Sequence, residues 1–135
     1  MRPVLLDTHA LVWAMILPDL LSDRARDRIN KADTVYVSAA SIYEIDSKRR
    51  DASRARSRSP GLARMPRSMP GTLPLLGYTL LDITADLAWR AANLPMAHGD
   101  PWDRILVAQA KLLQVPLISC DEALRSQAKG VTIIW

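Results

Sequence analysis

The sequence predicts an α/β fold, a mostly parallel sheet of about five short strands with helices covering both faces. Three observations predict it. Short apolar runs such as Val4-Leu5-Leu6 and Pro116-Leu117-Ile118 are nearly continuous, as strands buried on both faces require. Between such runs stand segments with helical spacing and recognisable caps, so strand and helix alternate. The 135 residues, 49% of them hydrophobic, suffice for a single domain with a real core and argue against disorder.

The elements follow in order. Val4-Leu5-Leu6, bounded by Pro3 and Asp7, is the first strand, and Thr8 to Leu17 the first helix, ended by Pro18. Ser22-Asp23 opens a charged helix to about Lys31. Thr34 to Val37 carries β-branched and aromatic residues and reads as the second strand. Ser38 to Arg50 is helical, with Ile42 and Ile45 inward. Leu80 to Ile83 is the third strand, and Thr84 caps a helix through Asn93 that Pro95 stops. Asp100 before Pro101 signals the next helix, with the carboxylate as cap and the proline at the first position. Its stretch from Ile105 to Leu113 is apolar almost all round and is expected to be largely buried. Pro116 to Ile118 is a fourth strand, Asp121 to about Ala128 a short helix, and Val131 to Ile134 the last strand.

Charge is unevenly distributed. The net charge is +4, yet the stretch from Lys48 to Arg67 holds eight basic residues and one acid. The rest of the chain is therefore mildly acidic. Such a basic segment meets phosphates or is simply a solvated face. No apolar run approaches the ~18 residues of a membrane span, and the chain opens without the pattern of a signal peptide. With Cys120 as the one cysteine, no internal disulfide is possible, and the expected location is cytoplasmic. Phosphate-binding loops, dinucleotide fingerprints, paired-cysteine zinc patterns and internal repeats are absent from the sequence.

Three acids fall where an α/β sheet gathers its functional residues, at or near the carboxyl ends of the strands, and a fourth, Asp103, can reach that edge if its helix begins there. Asp7 follows the first strand, Glu44 lies in the helix after the second, and Asp121 follows the fourth. Asp103 stands in the first turn of its helix, on the face shared with Val107 and Ala110. Each acid has a local explanation. Asp7 and Asp121 could cap the helices they precede, and Asp100 with Asp103 resembles a capping box. Glu44 could close a box with Ser41 or pair with Lys48. Taken together, four carboxylates in one cleft would repel each other unless a divalent cation joined them. An all-oxygen ligand set suits Mg²⁺ or Mn²⁺ rather than zinc. Sites of that kind position and deprotonate a water and steady charge on a phosphoryl group.

These residues carry a family resemblance. Leu5-Leu6-Asp7-Thr8-His9-Ala10-Leu11-Val12-Trp13 resembles the opening of PIN-domain ribonucleases, specifically the VapC-type toxins. So do Ser38-Ala39-Ala40-Ser41-Ile42-Tyr43-Glu44-Ile45, the stretch from His98 to Ala110, and Leu117-Ile118-Ser119-Cys120-Asp121. The match runs in order over nearly the whole chain. It implies a three-layer α/β/α sandwich whose catalytic, metal-binding acids are Asp7, Glu44, Asp103 and Asp121. Asp100 would be a supporting carboxylate, with Thr8, Ser41 and Ser119 as supporting hydroxyls. It further implies Mg²⁺- or Mn²⁺-dependent cleavage of RNA, a homodimer, and neutralisation by a cognate antitoxin protein.

The chain departs from the family between Asp46 and about Leu73. Where the family carries an amphipathic helical hairpin, this sequence has a Pro-, Ser- and Arg-rich stretch without a clear apolar face. Residues 49–74 are therefore expected to be irregular. Lys48, Arg49, Arg50, Arg54, Arg56 and Arg58 are the candidates for RNA phosphates. His9 and His98 read as hydrogen-bonded structural residues. Trp13, Trp89, Trp102 and Trp135 read as core or interface anchors ahead of base-stacking platforms. The rival reading is a non-catalytic RNA- or partner-binding module on the same fold. A phospho-acceptor domain fits less well, because Asp7 has no neighbouring acid and no lysine closely follows Ile118.

Overall fold

The computed structural model describes residues 2–51, 61–97 and 99–135. His98, Arg54, Arg56 and Arg58 lie outside the described residues. The strands are β1 (Val4–Leu6), β2 (Val35–Ser38), β3 (Tyr78–Leu81), β4 (Leu117–Ile118) and β5 (Ile133–Ile134). The helices are α1 (Thr8–Ile16), α2 (Asp23–Lys31), α3 (Ala39–Arg50), α4 (Met69–Leu75), α5 (Ala85–Ala92), α6 (Pro101–Leu113) and α7 (Glu122–Gln127). The strands form one sheet in the order β3-β2-β1-β4-β5, every neighbouring pair parallel.

β1 is central, and its alternation explains its unbroken apolar run. Val4 and Leu6 enter one core with Leu11, Ile45 and Met69, whereas Leu5 enters another with Leu106, Val107 and Leu124. One layer thus holds α1, α3 and α4, and the opposite layer α6 and α7. α5 sits against α6 through Leu87, Ala91 and Ala108. The expected three-layer α/β/α arrangement is the one observed.

Most predicted caps are present. Ser22, Thr84 and Asp100 each accept backbone N–H groups at the starts of α2, α5 and α6. At α3 the cap is Ser38, whose Oγ accepts from the Ala40 N–H at 3.0 Å. The link from α5 to α6 is held by Arg104. Its guanidinium donates to the carbonyls of Ala91, Ala92, Leu94 and Met96 at 2.8 to 3.2 Å. Helix-end carbonyls are left without intrahelical donors, and one arginine here serves two of them, Ala91 and Ala92, together with two carbonyls of the following turn.

Three expectations are corrected. β3 runs Tyr78–Leu81 rather than Leu80 to Ile83, because Gly77 (φ 95°) turns the chain and Tyr78 registers against Val35. The last turn of α6 is not buried, with Leu112 58% and Leu113 39% exposed. Its buried face is used up against the sheet by Leu106, Val107 and Ala110, and against α5 by Ala108. Finally, residues 61–74 are not irregular. A 3₁₀ turn (Leu62–Arg64) and α4 bury Leu62, Met65, Met69 and Leu73 in the α1/α3 core. Pro70 falls in the first turn of α4, where a missing N–H costs nothing, and Pro74 lies next to its last residue. Arg49 fastens this segment, donating to Asp46 Oδ1 at 2.8 Å and to the carbonyls of Met65 and Arg67 at 2.8 and 3.2 Å.

Candidate active site

The strand order reverses at β1, with β2 on one side and β4 on the other. In an open α/β sheet the crevice beyond the strand ends at such a switch point is where ligands bind. Asp7 leaves β1 there, and Ser119 and Asp121 leave β4. The two strand ends are laced together, since the Asp7 N–H donates to the Ile118 carbonyl at 3.1 Å.

Asp7 is the most constrained acid. It is only 6% exposed, and its Oδ1 accepts from the Ala10 N–H at 2.8 Å as the cap of α1. Burial pushes its carboxyl up to about 6 from 3.8, and the charges of Glu44 and Asp121 push the same way. Hydrogen bonds from Ser119 and Ala10 oppose that rise. Asp7, Glu44 and Asp121 therefore share one electrostatic environment, although α1, α3 and α7 present them separately.

Glu44 is held from both ends. Thr8 Oγ1 donates to its Oε1 at 2.5 Å, and Lys48 Nζ donates to its Oε2 at 2.8 Å, one turn along α3. Thr8 Oγ1 also lies 3.1 Å from Ser41 Oγ, both hydroxyls buried. With the single Thr8 proton directed at Glu44, Ser41 donates to Thr8. Ser41 thus supports Glu44 through Thr8 rather than by capping α3. Asp121 caps α7, its Oδ1 accepting from Ala123 N at 2.8 Å and Leu124 N at 3.3 Å. The fully buried Ser119 accepts from the Asp121 N–H at 3.1 Å. Between them Cys120 registers the same field, its thiol pushed up first by burial and then by Asp7.

The start of α6 belongs to Asp100, which accepts from Trp102 N at 2.9 Å and Asp103 N at 3.2 Å. Capping here falls to Asp100, which leaves Asp103 as a half-buried acid of the first turn. This end of α6 meets α3, where the Tyr43 and Trp102 rings stand 4.9 Å apart at 34°. Among the described residues, no three of His, Cys, Asp or Glu are gathered closely enough to hold an ion.

Asp7 and Asp121 each cap through Oδ1 alone, so the capping role leaves the second carboxylate oxygen of each out of those bonds. Of the basic candidates described, Arg49 is turned inward onto Asp46, Met65 and Arg67, and Arg50 pairs with Asp46 at 2.7 Å. Those partners, Arg50 and then Arg49, hold the Asp46 carboxyl below its usual range. Lys48 alone of the three reaches a candidate site acid. Sequence reasoning missed the Tyr43–Trp102 pair. The one available signal was that each ring directly precedes a candidate acid, Glu44 or Asp103.

Comparison with known proteins agrees with this architecture. The model of the PIN domain family matches residues 4–130. Ribonuclease VapC22 of Mycobacterium tuberculosis is 32% identical over 135 residues, covering 93% of this chain and 92% of that one. Among solved structures, DNA-bound VapBC from Salmonella typhimurium superposes with a TM-score of 0.65 at 16% identity, over 98% and 97% of the two chains. VapBC2 from Rickettsia felis, bound to a DNA fragment from its promoter, gives 0.62 at 13% identity, over 97% and 96%. At such identities the solved structures speak for the fold, while the family model and VapC22 speak for descent. The chain belongs to the PIN domain family.

Proposed function

We propose that this chain is a divalent-metal-dependent endoribonuclease of the VapC kind, a toxin that cleaves RNA and is neutralised by a cognate antitoxin. The observation that carries the reading is Asp7, a carboxylate at the sheet's switch point whose ionisation is opposed first by its burial and then by the charges of Glu44 and Asp121. The name of VapC22 and the toxin–antitoxin complexes among the structural neighbours support the same reading. A homodimer and a cytoplasmic location complete the proposal. No helix among the described residues is long and apolar enough to cross a membrane.

The chemistry of the donors suits a hard divalent cation, because they are carboxylates and burial disfavours the charge of the central one, while among the described residues no three of them yet stand close enough to hold an ion. Asp7, Glu44, Asp103 and Asp121 would hold the ion, Mg²⁺ or Mn²⁺. Such an ion, when bound, supplies positive charge for the scissile phosphate and acidifies a water. The chain's own residues do the positioning. Thr8 fixes one Glu44 oxygen and Lys48 the other, and Ser41 fixes Thr8 in turn. Ser119 bridges Asp7 and the Asp121 backbone, tying the acid that follows β1 to the one that follows β4. Asp100 sets the first turn of α6 and hence the place of Asp103.

The test is incubation with total cellular RNA in Mg²⁺, in Mn²⁺ and in EDTA, with mapping of the cut ends. Cleavage should require the ion and fall at least ~100-fold in each of Asp7→Asn, Glu44→Gln, Asp103→Asn and Asp121→Asn. Full activity in EDTA would overturn the metal mechanism. RNA binding without cleavage under any condition would favour a non-catalytic module.

A further inference from the structure

Beside the acids lies a small cavity of about 330 Å³, lined by Tyr43, Glu44, Ser47, Lys48, Asp100 and Trp102. No aliphatic side chain lines it. Its walls are two aromatic rings, a cation, a hydroxyl and two carboxylates. Tyr43 is 60% exposed, so one of the largest apolar surfaces on α3 faces solvent next to Glu44. The Trp102 ring backs it at 4.9 Å, in a tilted stack that holds Tyr43 in place across the α3/α6 junction. Lys48 Nζ sits on Glu44 with its side chain 38% exposed.

A protein segment docking here would find no aliphatic surface to bury against. A nucleotide supplies what the cavity lacks, namely a flat π face for the rings and an anionic backbone for Lys48. Glu44, a candidate site acid, lines the same cavity, so a base on the rings places its neighbouring phosphate close to the acids. We propose that Tyr43, backed by Trp102, is a stacking platform for one base of single-stranded RNA flanking the scissile phosphate. This rests on the nuclease reading, and it adds a base-binding subsite that the acid set does not contain.

Stacking on an aromatic side chain tolerates any base but requires a base, and this provides the test. Binding of a labelled short single-stranded RNA is measured by fluorescence anisotropy in EDTA, where cleavage is silent, with an abasic site walked along the strand. In the wild type one abasic position should weaken binding about tenfold. Tyr43→Ala should weaken the intact strand similarly, Tyr43→Phe by no more than about twofold. In Tyr43→Ala the abasic position should add nothing further, an outcome that a merely structural tyrosine would not give. The salt dependence of binding should be unchanged in Tyr43→Ala, since no phosphate contact is removed. Should Tyr43→Ala fail to fold, the wild-type scan and Tyr43→Phe still decide. A wild type that cleaves RNA yet shows a flat abasic scan overturns the platform and leaves the nuclease reading standing. A chain that neither binds nor cleaves RNA overturns both. Loss of antitoxin pairing in Tyr43→Ala with RNA affinity intact would assign the rings to the protein partner and overturn the platform.

Discussion

Replacing Asp7 by asparagine should make the metal-free protein more stable at neutral pH. The native carboxyl is pushed up to about 6, against 3.8 in the ordinary state, chiefly by burial. Below the lower value the group is protonated in both native and unfolded chains and contributes no difference. Between the two values the native chain binds the extra proton, so stability falls as pH rises. Above about 6 both forms are ionised and the full cost of the buried charge is present, about 3 kcal/mol at 1.36 kcal/mol per pKa unit. Asparagine removes that cost and keeps the cap, since its side-chain oxygen can still accept from Ala10. The variant should therefore match the wild type near pH 4 and exceed it by about 2–3 kcal/mol at pH 7, roughly 10 °C in Tm. The assay is urea and thermal unfolding of both proteins in EDTA across that range, the difference between them isolating the one group. Added Mg²⁺ or Mn²⁺ should then stabilise the wild type more than the variant. A difference that stays flat with pH, or a variant less stable at pH 7, would refute the claim that this carboxylate is a buried liability.

Three further outcomes follow from the packing and the caps. Met69→Ala, at a site 1% exposed, should cost about 2–5 kcal/mol in urea unfolding, and a cost near zero would return α4 to the periphery. Arg49→Gln should destabilise by about 1–3 kcal/mol through its lost bonds to Asp46, Met65 and Arg67. It should leave the salt slope of RNA binding unchanged, whereas Lys48→Gln should flatten it by ~0.7, and the reverse pattern would exchange the two roles. Asp121→Asn and Asp121→Ala should both abolish cleavage, but only the alanine should lose a further ~1 kcal/mol of stability with the α7 cap.

Much of this fold is legible in local chemistry. Asp7, Ser22, Thr84, Asp100 and Asp121 announce helix starts because a cap acts on N–H groups only two or three residues ahead. The same locality explains the failures. Leu62, Met65, Met69 and Leu73 look unpatterned in a Pro- and Arg-rich stretch, and only the distant α1 and α3 surfaces give them something to cover. β3 is displaced because its register is set by β2, not by its own most apolar residues. Leu112 and Leu113 read as core since composition cannot reveal where a helix runs out of neighbours. At the site, Asp7 and Asp121 could be chosen because they directly follow strands, and Asp103 because it stands in the first turn of a helix. Tyr43 and Trp102 could not be paired, because their meeting depends on how α3 and α6 cross.

The fork of Arg104 onto four carbonyls has a dynamic consequence. α5 is short, and its apolar contacts are made largely with α6. The arginine that closes its end belongs to α6, so fraying of the α5 terminus strands several charged hydrogen bonds at once. The two helices are consequently expected to open as one cooperative unit, with amide protons of α5 and of the turn after it exchanging with the protection of the longer helix. The first turn of α6, which bears Asp100 and Asp103, inherits that rigidity from a partner helix that contributes none of the proposed ion-binding acids.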